Sequence, residues 1–354
     1  MARCIELAKK GAGYVSPNPL VGCVIVKNGK IIAEGYHKKF GTPHAEVNAI
    51  DDGLTRKINL KGSSLYVNLE PCSHTGKTPP CTDKIIENKI AEVIIGIQDP
   101  NRLVSGKGIK RLGKAKIKVR TGILENQCRE LNKFYFKHIT TGTPYVTLKA
   151  AQTMDGKIAD ALGNSKWISS ESSRKLVHKL RSEYDAVLIG RKTVENDNPQ
   201  LTVRHIKGRN PYRIVIDKKL TPNLNSNLFS DTFSDRTIIV TSSIPDEFLE
   251  KLFEQRNIRV INAKLKDDKI NLQDALKNLG KTGIASIMVE GGAYTFTEFI
   301  KQNAADELIF FISPRVMGKG IGTFTFEEQF SLMKFKSVSC GISGDDIVLT
   351  IKLK

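Results

Sequence analysis

Two cysteines, a histidine and three prolines fall within "EPCSHTGKTPPC", residues 70–81, and upstream "GTPHAEVNAI" carries His44 and, two positions on, Glu46. One imidazole and two thiolates, His44, Cys72 and Cys81, supply three ligands for a tetrahedral zinc ion and leave a fourth position open for water. With two thiolates the Zn²⁺ site is formally neutral, which weakens its pull on water, so a base beside it becomes useful. Glu46 is placed to take that proton. Positions two apart on a regular helix point to different sides, so both residues reach the metal only if His44 caps the helix, as Pro43 before it favours. Two other readings stay open on the residues alone. A structural zinc would want a fourth protein ligand, for which His74 is the candidate. A Cys72–Cys81 disulfide is the other, out of place in a reducing cytosol.

The order H-x-E followed by P-C is the signature of zinc deaminases, in which two residues separate the cysteines. Here eight do. A weaker signal lies in "IMVEGGAYTFTEFI", read as a strand, a Gly291–Gly292 turn and a helix, where a phosphate can approach main-chain N–H groups. No G-x-G-x-x-G occurs, so a dinucleotide fold of the usual kind is not supported.

The elements that must hold these residues alternate. "LVGCVIVKNGKIIAEGYH" reads as a hairpin turning at Asn28-Gly29, and "HAEVNAIDDGL" as a short helix closing near Gly53. "SSLYVNLE" and "AEVIIGI" read as strands, "CTDKIIENK" as a helix, and the stretch from Leu124 to Gly142 as one longer helix. One sheet between helical layers is the expectation. Gly142 and Pro144 mark a boundary, giving domains 1–143 and 144–354. The second unit opens on the strand "PYVTLKAAQ" and a helix capped by Ser169 or Ser170 with an apolar seam through Leu176, Val177, Leu180 and Tyr184. The strands "DAVLIG", "YRIVID", "RTIIVT", "IRVINA", "IASIMVE", "ELIFFI" and "DIVLTIKLK" follow, a second α/β domain with a mostly parallel sheet.

Composition sets the frame. The chain has 354 residues, 40% hydrophobic and 26% charged, enough for two globular cores. No run of apolar residues is long enough for a membrane span, and the N-terminus reads as an amphipathic helix, not a signal peptide; a cytoplasmic protein is expected. Cys4, Cys23, Cys128 and Cys340 sit in apolar or helical surroundings and read as fillers. The net charge of +18 invites a nucleic-acid reading, yet the lysines are spread along the chain with no arginine stripe or aromatic alternation.

"HAE…EPCSHTGKTPPC", "PNPLVGCVIVKNGKIIAEGYH" and "QDPN" resemble the deaminase domain of the bifunctional riboflavin-biosynthesis deaminase/reductases, and the likeness covers essentially the whole first domain. In that family the long insertion between the cysteines belongs to the pattern. "LKAAQTMDGKIA", "SKWIS", "LRSEYDAVLIGRKTVENDNPQLTVR" and "VEGGA" resemble its reductase domain, which is similar to dihydrofolate reductase. The resemblance implies an N-terminal cytidine-deaminase-like αβα sandwich and a C-terminal dihydrofolate-reductase-like α/β domain, one Zn²⁺ per chain, and NADPH. It implies hydrolytic loss of the 2-amino group of 2,5-diamino-6-(5-phosphoribosylamino)pyrimidin-4(3H)-one, then reduction of the ribosyl group to ribityl.

Carried over motif by motif, the resemblance gives Asn18 and His74 to the pyrimidine. Ala151, Trp167, Thr193 and Asp197 would contact the nicotinamide cofactor, and Gly292, Ala293, Tyr294, Thr295, Phe296, Thr297 and Glu298 would cradle its phosphates. Lys149, Ser165, Arg181, Leu201, Arg204 and Glu290 would face the substrate, the arginines taking its 5-phosphate. "IVIDKKLTPN" departs from the pattern: it carries Lys218 and lacks an arginine expected after Leu220, which leaves the adjacent cofactor contact open. A small phosphorylated substrate, no nucleic acid or membrane partner and a homo-oligomer (dimer or tetramer) are expected. The runner-up, a tRNA adenosine or cytidine deaminase, would want the short cysteine spacing and leaves the second half of the chain unexplained.

Overall fold

The computed structural model describes residues 1–74, 79–327 and 333–353. The chain divides into two compact units, Met1–Gly142 and Thr143–Lys354.

The first unit runs α1 (Ala2–Lys9), β1 (Gly22–Lys27), β2 (Lys30–Tyr36), α2 (Ala45–Thr55), β3 (Ser64–Leu69), α3 (Cys81–Glu87), β4 (Glu92–Ile97), α4 (Lys107–Lys114), β5 (Lys118–Thr121), α5 (Glu125–Leu131) and α6 (Lys133–Thr141). Asn28 and Gly29 both take positive φ, 52° and 72°, the turn whose twist suits a two-residue hairpin. The sheet order is β2-β1-β3-β4-β5, with β1 antiparallel to β2 and β3, and β3, β4 and β5 parallel. Alternate residues of each strand serve opposite layers. Ile25, Leu65, Val67, Val93 and Ile95 pack with Ala49 and Ile50 of α2, Ile85 of α3 and Leu112 of α4. On the other face Val24 meets Cys4 and Leu7 of α1, and at the strand ends Leu69 and Ile97 join Cys128, Tyr135 and Phe136 in a separate cluster. This is an αβα sandwich of the cytidine-deaminase kind.

Two local expectations are corrected. Gly53 does not end α2, which continues to Thr55; a Cβ there would lie 2.8 Å from Leu60 Cδ2, so the glycine serves close packing. The helix expected from Leu124 to Gly142 is two, broken at Asn132. Its buried side chain accepts from Leu20 N at 2.7 Å and donates to Leu20 O at 2.9 Å, a tertiary demand that overrides local helix preference.

The second unit runs β6 (Tyr145–Thr153), β7 (Lys157–Asp160), α7 (Glu171–Glu183), β8 (Ala186–Gly190), α8 (Arg191–Asp197), β9 (Tyr212–Ile216), α9 (Asn227–Ser230), β10 (Thr237–Thr241), α10 (Glu247–Gln255), β11 (Arg259–Asn262), β12 (Leu265–Lys266), β13 (Lys269–Ile270), α11 (Leu272–Lys281), β14 (Ser286–Gly291), α12 (Ala293–Lys301), β15 (Glu307–Ser313), β16 (Gly320–Gly322), β17 (Ser337–Ser343) and β18 (Asp346–Lys352). Its main sheet has the order β11-β10-β9-β8-β14-β6-β15-β18-β17. Pairing is parallel from β11 to β15, and β18 and β17 add an antiparallel edge. Val146, Leu148, Leu188, Ile214, Ile238, Ile287 and Val289 join Leu276, Leu279, Phe296 and Phe299 in one core, with Val177 of α7 and Phe311 on the opposite face. Ser170 caps α7, accepting from Ser173 N at 3.2 Å. Strand ends and helix N-termini thus gather on one side of the sheet, the usual place for ligands in a parallel α/β fold.

Candidate functional site

In the first unit His44 is the N-cap of α2, with extended backbone (φ −73°, ψ 168°), so its ring leaves the helix while Glu46 stays in the first turn. Cys72 follows β3 and Cys81 is the first residue of α3. His44 Nδ1 lies 3.7 Å from Cys72 Sγ and 3.3 Å from Cys81 Sγ, and Cys81 N–H donates to Cys72 Sγ at 3.4 Å. The three ligand atoms all fall within 4.8 Å of one another. Ligands about 2.0–2.3 Å from one tetrahedral ion stand at such separations, and two sulfurs with one nitrogen are a zinc donor set. Hydrogen bonding from Cys81, and then from His44, holds the Cys72 thiol down to about 4 against the cost of burial. The same contact, with burial, raises the Cys81 thiol well above its ordinary value, so the pair by itself favours one thiolate, not two.

Glu46 is 3% exposed, and burial pushes its carboxyl up to about 7. All six cysteines are free, so no Cys72–Cys81 disulfide forms. Among the described residues the ligand cluster consists of His44, Cys72 and Cys81; His74 is exposed and outside it.

Two supports were not read from sequence. Glu70, 4% exposed, sits just before Pro71 and Cys72. Its carboxylate accepts the main-chain N–H groups of Asp99 (3.3 Å), Gly106 (3.0 Å), Gly108 (3.0 Å) and Ile109 (3.2 Å), fastening the start of α4 to the ligand loop. His37 stands edge-on to His44, ring centroids 5.3 Å apart. The Pro43 carbonyl can only accept, so His37 Nδ1, 3.2 Å away, carries the proton. Nε2 then accepts from Asn18 Nδ2 at 3.2 Å, which leaves the Asn18 carbonyl oxygen as the acceptor it offers elsewhere.

In the second unit a cavity of about 920 Å³ opens at the ends of β6, β8 and β14 and the N-termini of α8 and α12. Lys149, Ala151, Ser165, Trp167, Arg181, Thr193, Asp197, Arg204 and Glu290 line it, as do Gly292 through Phe296 and Glu298. Leu201 and Thr297 do not. Leu201 is 4% exposed in a left-handed turn, and Thr297 donates to Ala293 O and accepts from Thr325 N.

Gly291, with φ of 137°, takes a backbone that side chains disfavour. At the end of the neighbouring strand, a Cβ on Gly190 would fall 2.6 Å from Thr295 Oγ1. No side chain caps α12, so its first N–H groups face the cavity, a cradle fit for a phosphate. The cavity also has the several-hundred-Å³ scale of a cofactor site.

Glu290 is the electrostatic centre of this wall. It accepts from Arg181 Nε at 2.6 Å and Nη2 at 2.9 Å, and from Lys149 Nζ at 3.3 Å. Burial alone would raise its carboxyl, but Arg181 and Lys149 outweigh that and hold it well below the usual carboxylate range. Arg181 Nη1 donates to Thr202 O, so this guanidinium is largely engaged inside the protein, while among the described residues the Arg204 guanidinium reaches only Gln200 Oε1, at 2.7 Å. Lys218, where the sequence left a contact open, lines the cavity and donates to both the carbonyl and the carboxylate of Asp268 at 2.8 Å.

Residues 144–349 match the family described as RibD C-terminal domain, and residues 1–97 match the cytidine and deoxycytidylate deaminase zinc-binding region. The riboflavin biosynthesis protein RibD of Aquifex aeolicus is 43% identical over 358 residues, covering 99% of this chain and 97% of that protein. Its counterpart in Escherichia coli is 36% identical over 369 residues, covering 99% and 97%. A crystal structure of a diaminohydroxyphosphoribosylaminopyrimidine deaminase/5-amino-6-(5-phosphoribosylamino)uracil reductase from Thermotoga maritima superposes with a TM-score of 0.89 at 40% identity, covering 100% of this chain and 97% of that one.

Proposed function

From a chain that belongs to the RibD family of riboflavin biosynthesis proteins, we propose a division of labour in which the first unit deaminates 2,5-diamino-6-(5-phosphoribosylamino)pyrimidin-4(3H)-one and the second reduces its product. The enzyme is bifunctional, a zinc-dependent deaminase and an NADPH-dependent reductase in riboflavin biosynthesis. The observation that carries the reading is the cluster of His44, Cys72 and Cys81 beside the buried carboxyl of Glu46.

Zinc, when held by those three residues, supplies a Lewis acid that makes water nucleophilic near neutral pH. Glu46 takes the proton as water adds to the 2-carbon of the ring and returns it to the amino nitrogen. The C–N bond breaks and ammonia leaves. Asn18 offers its carbonyl oxygen to a ring N–H, and His37 holds that amide the right way round. His74 is assigned to the same substrate by motif alone.

NADPH, when held in the second unit, would supply a hydride to C1′ of the ribosyl group, and the C1′–O4′ bond opens as the ring oxygen gains a proton, which leaves the ribityl chain. Ala151, Trp167, Thr193 and Asp197 are assigned to the cofactor, with the start of α12, Gly292 to Phe296 and Glu298, beneath its phosphates; Thr297 keeps that assignment by motif alone. Lys149, Ser165, Arg181, Arg204 and Glu290 are assigned to the substrate; Leu201, buried outside the cavity, keeps that assignment by motif alone. Arg204, with a free edge, is the better placed of the two arginines to take the 5-phosphate; Arg181 holds Glu290 in position. Incubation with the undeaminated substrate and NADPH tests this: ammonia release must precede and then match NADPH loss.

Among the described residues no helix is long and apolar enough to cross a membrane. Cytoplasmic residence suits metal-binding thiols that must stay reduced, and self-association of the chain completes the reading. The alternative of a nucleic-acid deaminase has nothing to use the second unit's cavity for.

A further inference from the structure

Arg174, His178 and Arg181 follow one another at helical spacing on α7, and all three line the reductase cavity. His178 is only 5% exposed. The main-chain N–H of Arg204 lies 3.3 Å from its Nδ1. A main-chain N–H can only donate, so Nδ1 is the acceptor, the ring is neutral, and its one N–H sits on Nε2. Among the described residues that N–H has no hydrogen-bond partner. The groups facing the ring are Arg181 on its own helix, Arg204 and His205 from the segment before β9, and Glu290 at the end of β14. The His205 ring stands edge-on, centroids 4.6 Å apart. Burial first, then the neighbouring cations, hold the imidazole down to about 4.

An imidazole N–H on the wall of a cavity that donates to no protein group is free to donate to a ligand held there. The charge around it indicates which ligand. Arg174, Arg181 and Arg204, with Lys149, carry four positive charges on this part of the wall against the single negative charge of Glu290, which is already engaged by Arg181 and Lys149. The excess of positive charge suits a phosphate monoester, which carries about −1.5 to −2 at neutral pH.

We propose that His178 is an anion ligand of the reductase site, its Nε2–H joining the Arg204 guanidinium on the phosphate monoester of the bound substrate. This rests on the reading that the wall of Arg181 and Arg204 faces the ribosyl phosphate. With Nδ1 occupied by Arg204 N–H, the imidazole donates as a neutral group, and its contribution is constant between about pH 6 and pH 8 despite the ordinary titration range of histidine. NADPH carries a phosphate monoester of its own, so the test must separate the two sources.

The test is steady-state NADPH oxidation by the zinc-loaded full chain with 5-amino-6-(5-phosphoribosylamino)uracil and with its dephosphorylated analogue, in the wild type, His178→Phe and His178→Gln. The proposal expects His178→Phe to raise KM for the phosphorylated substrate about tenfold or more, the scale of one hydrogen bond to a charged group. KM for NADPH and for the dephosphorylated analogue stays put, and the KM ratio of variant to wild type is flat with pH. His178→Gln, which restores an N–H near the Nε2 position, recovers most of the loss. Equal losses with and without the phosphate, or a KM effect confined to NADPH, overturn the assignment. So does a folded His178→Gln that behaves like His178→Phe. Wild-type enzyme that oxidises no NADPH with either compound overturns the reductase reading itself, an outcome distinct from these.

Discussion

Glu46 is the residue on which the deaminase account turns. Glu46→Gln preserves the shape of the pocket and all three proposed ligands, so zinc measured by atomic emission should remain at one per chain. Ammonia release should fall by about 10²- to 10⁴-fold, the usual contribution of a positioned general acid–base. NADPH oxidation with the deaminated substrate should be unchanged. The second residue is Glu290. Glu290→Gln leaves Arg181 and Lys149 buried without their counter-charge, a change that costs about 3–5 kcal/mol where a buried pair is broken. A melting transition assigned to the second unit should drop while that of the first holds. His178 gives a pH dependence whose sign can be worked out. Its folded value is lowered from 6.5 to about 4, so between those limits the unfolded chain binds the extra proton. Stability is therefore lost as pH falls from about 6.5 towards 4, and His178→Phe should flatten that part of a melting-temperature profile.

At the scale of elements, the metal loop is held from outside. Glu70 gathers four main-chain N–H groups around the start of α4, and a Cβ on Gly108 would lie 2.1 Å from Pro71 O. Gly108→Ala must push Pro71 and its neighbour Cys72 aside. Zinc affinity, measured by chelator competition, should weaken, whereas alanine at exposed Gly113, where a Cβ meets nothing within 4 Å, should leave it alone. This scale is also where the sequence was hardest to read. The hairpin at Asn28-Gly29, the capped start of α2 and the apolar strands were legible because short-range turn chemistry and burial agree there. α4, "KGIKRLGK", was not: it buries only Gly108 and Leu112, and its start is defined by a glutamate far away in sequence. β17 was missed because its residues are nearly all exposed and it exists only by pairing with β18. The break at Asn132 answers to Leu20, which no local pattern reveals. The site followed the same rule. Ligands at motif spacing were visible, while Glu70, His37 and His178 act through partners that only folding brings near.

For the molecule as a whole, two units with separate cores and separate sites predict independent losses. Removing zinc with a chelator should stop ammonia release and leave NADPH oxidation of the deaminated substrate intact. The net charge of +18 is then explained by lysines spread over a surface that handles phosphorylated small molecules, with salt affecting substrate KM more than turnover. The most direct test of the central claim is one reaction: the full chain, zinc-loaded, with NADPH and 2,5-diamino-6-(5-phosphoribosylamino)pyrimidin-4(3H)-one, following ammonia and NADPH together. The account predicts ammonia first, then an equal amount of NADPH consumed. NADPH loss without ammonia, or neither from a folded and zinc-loaded protein, would contradict it.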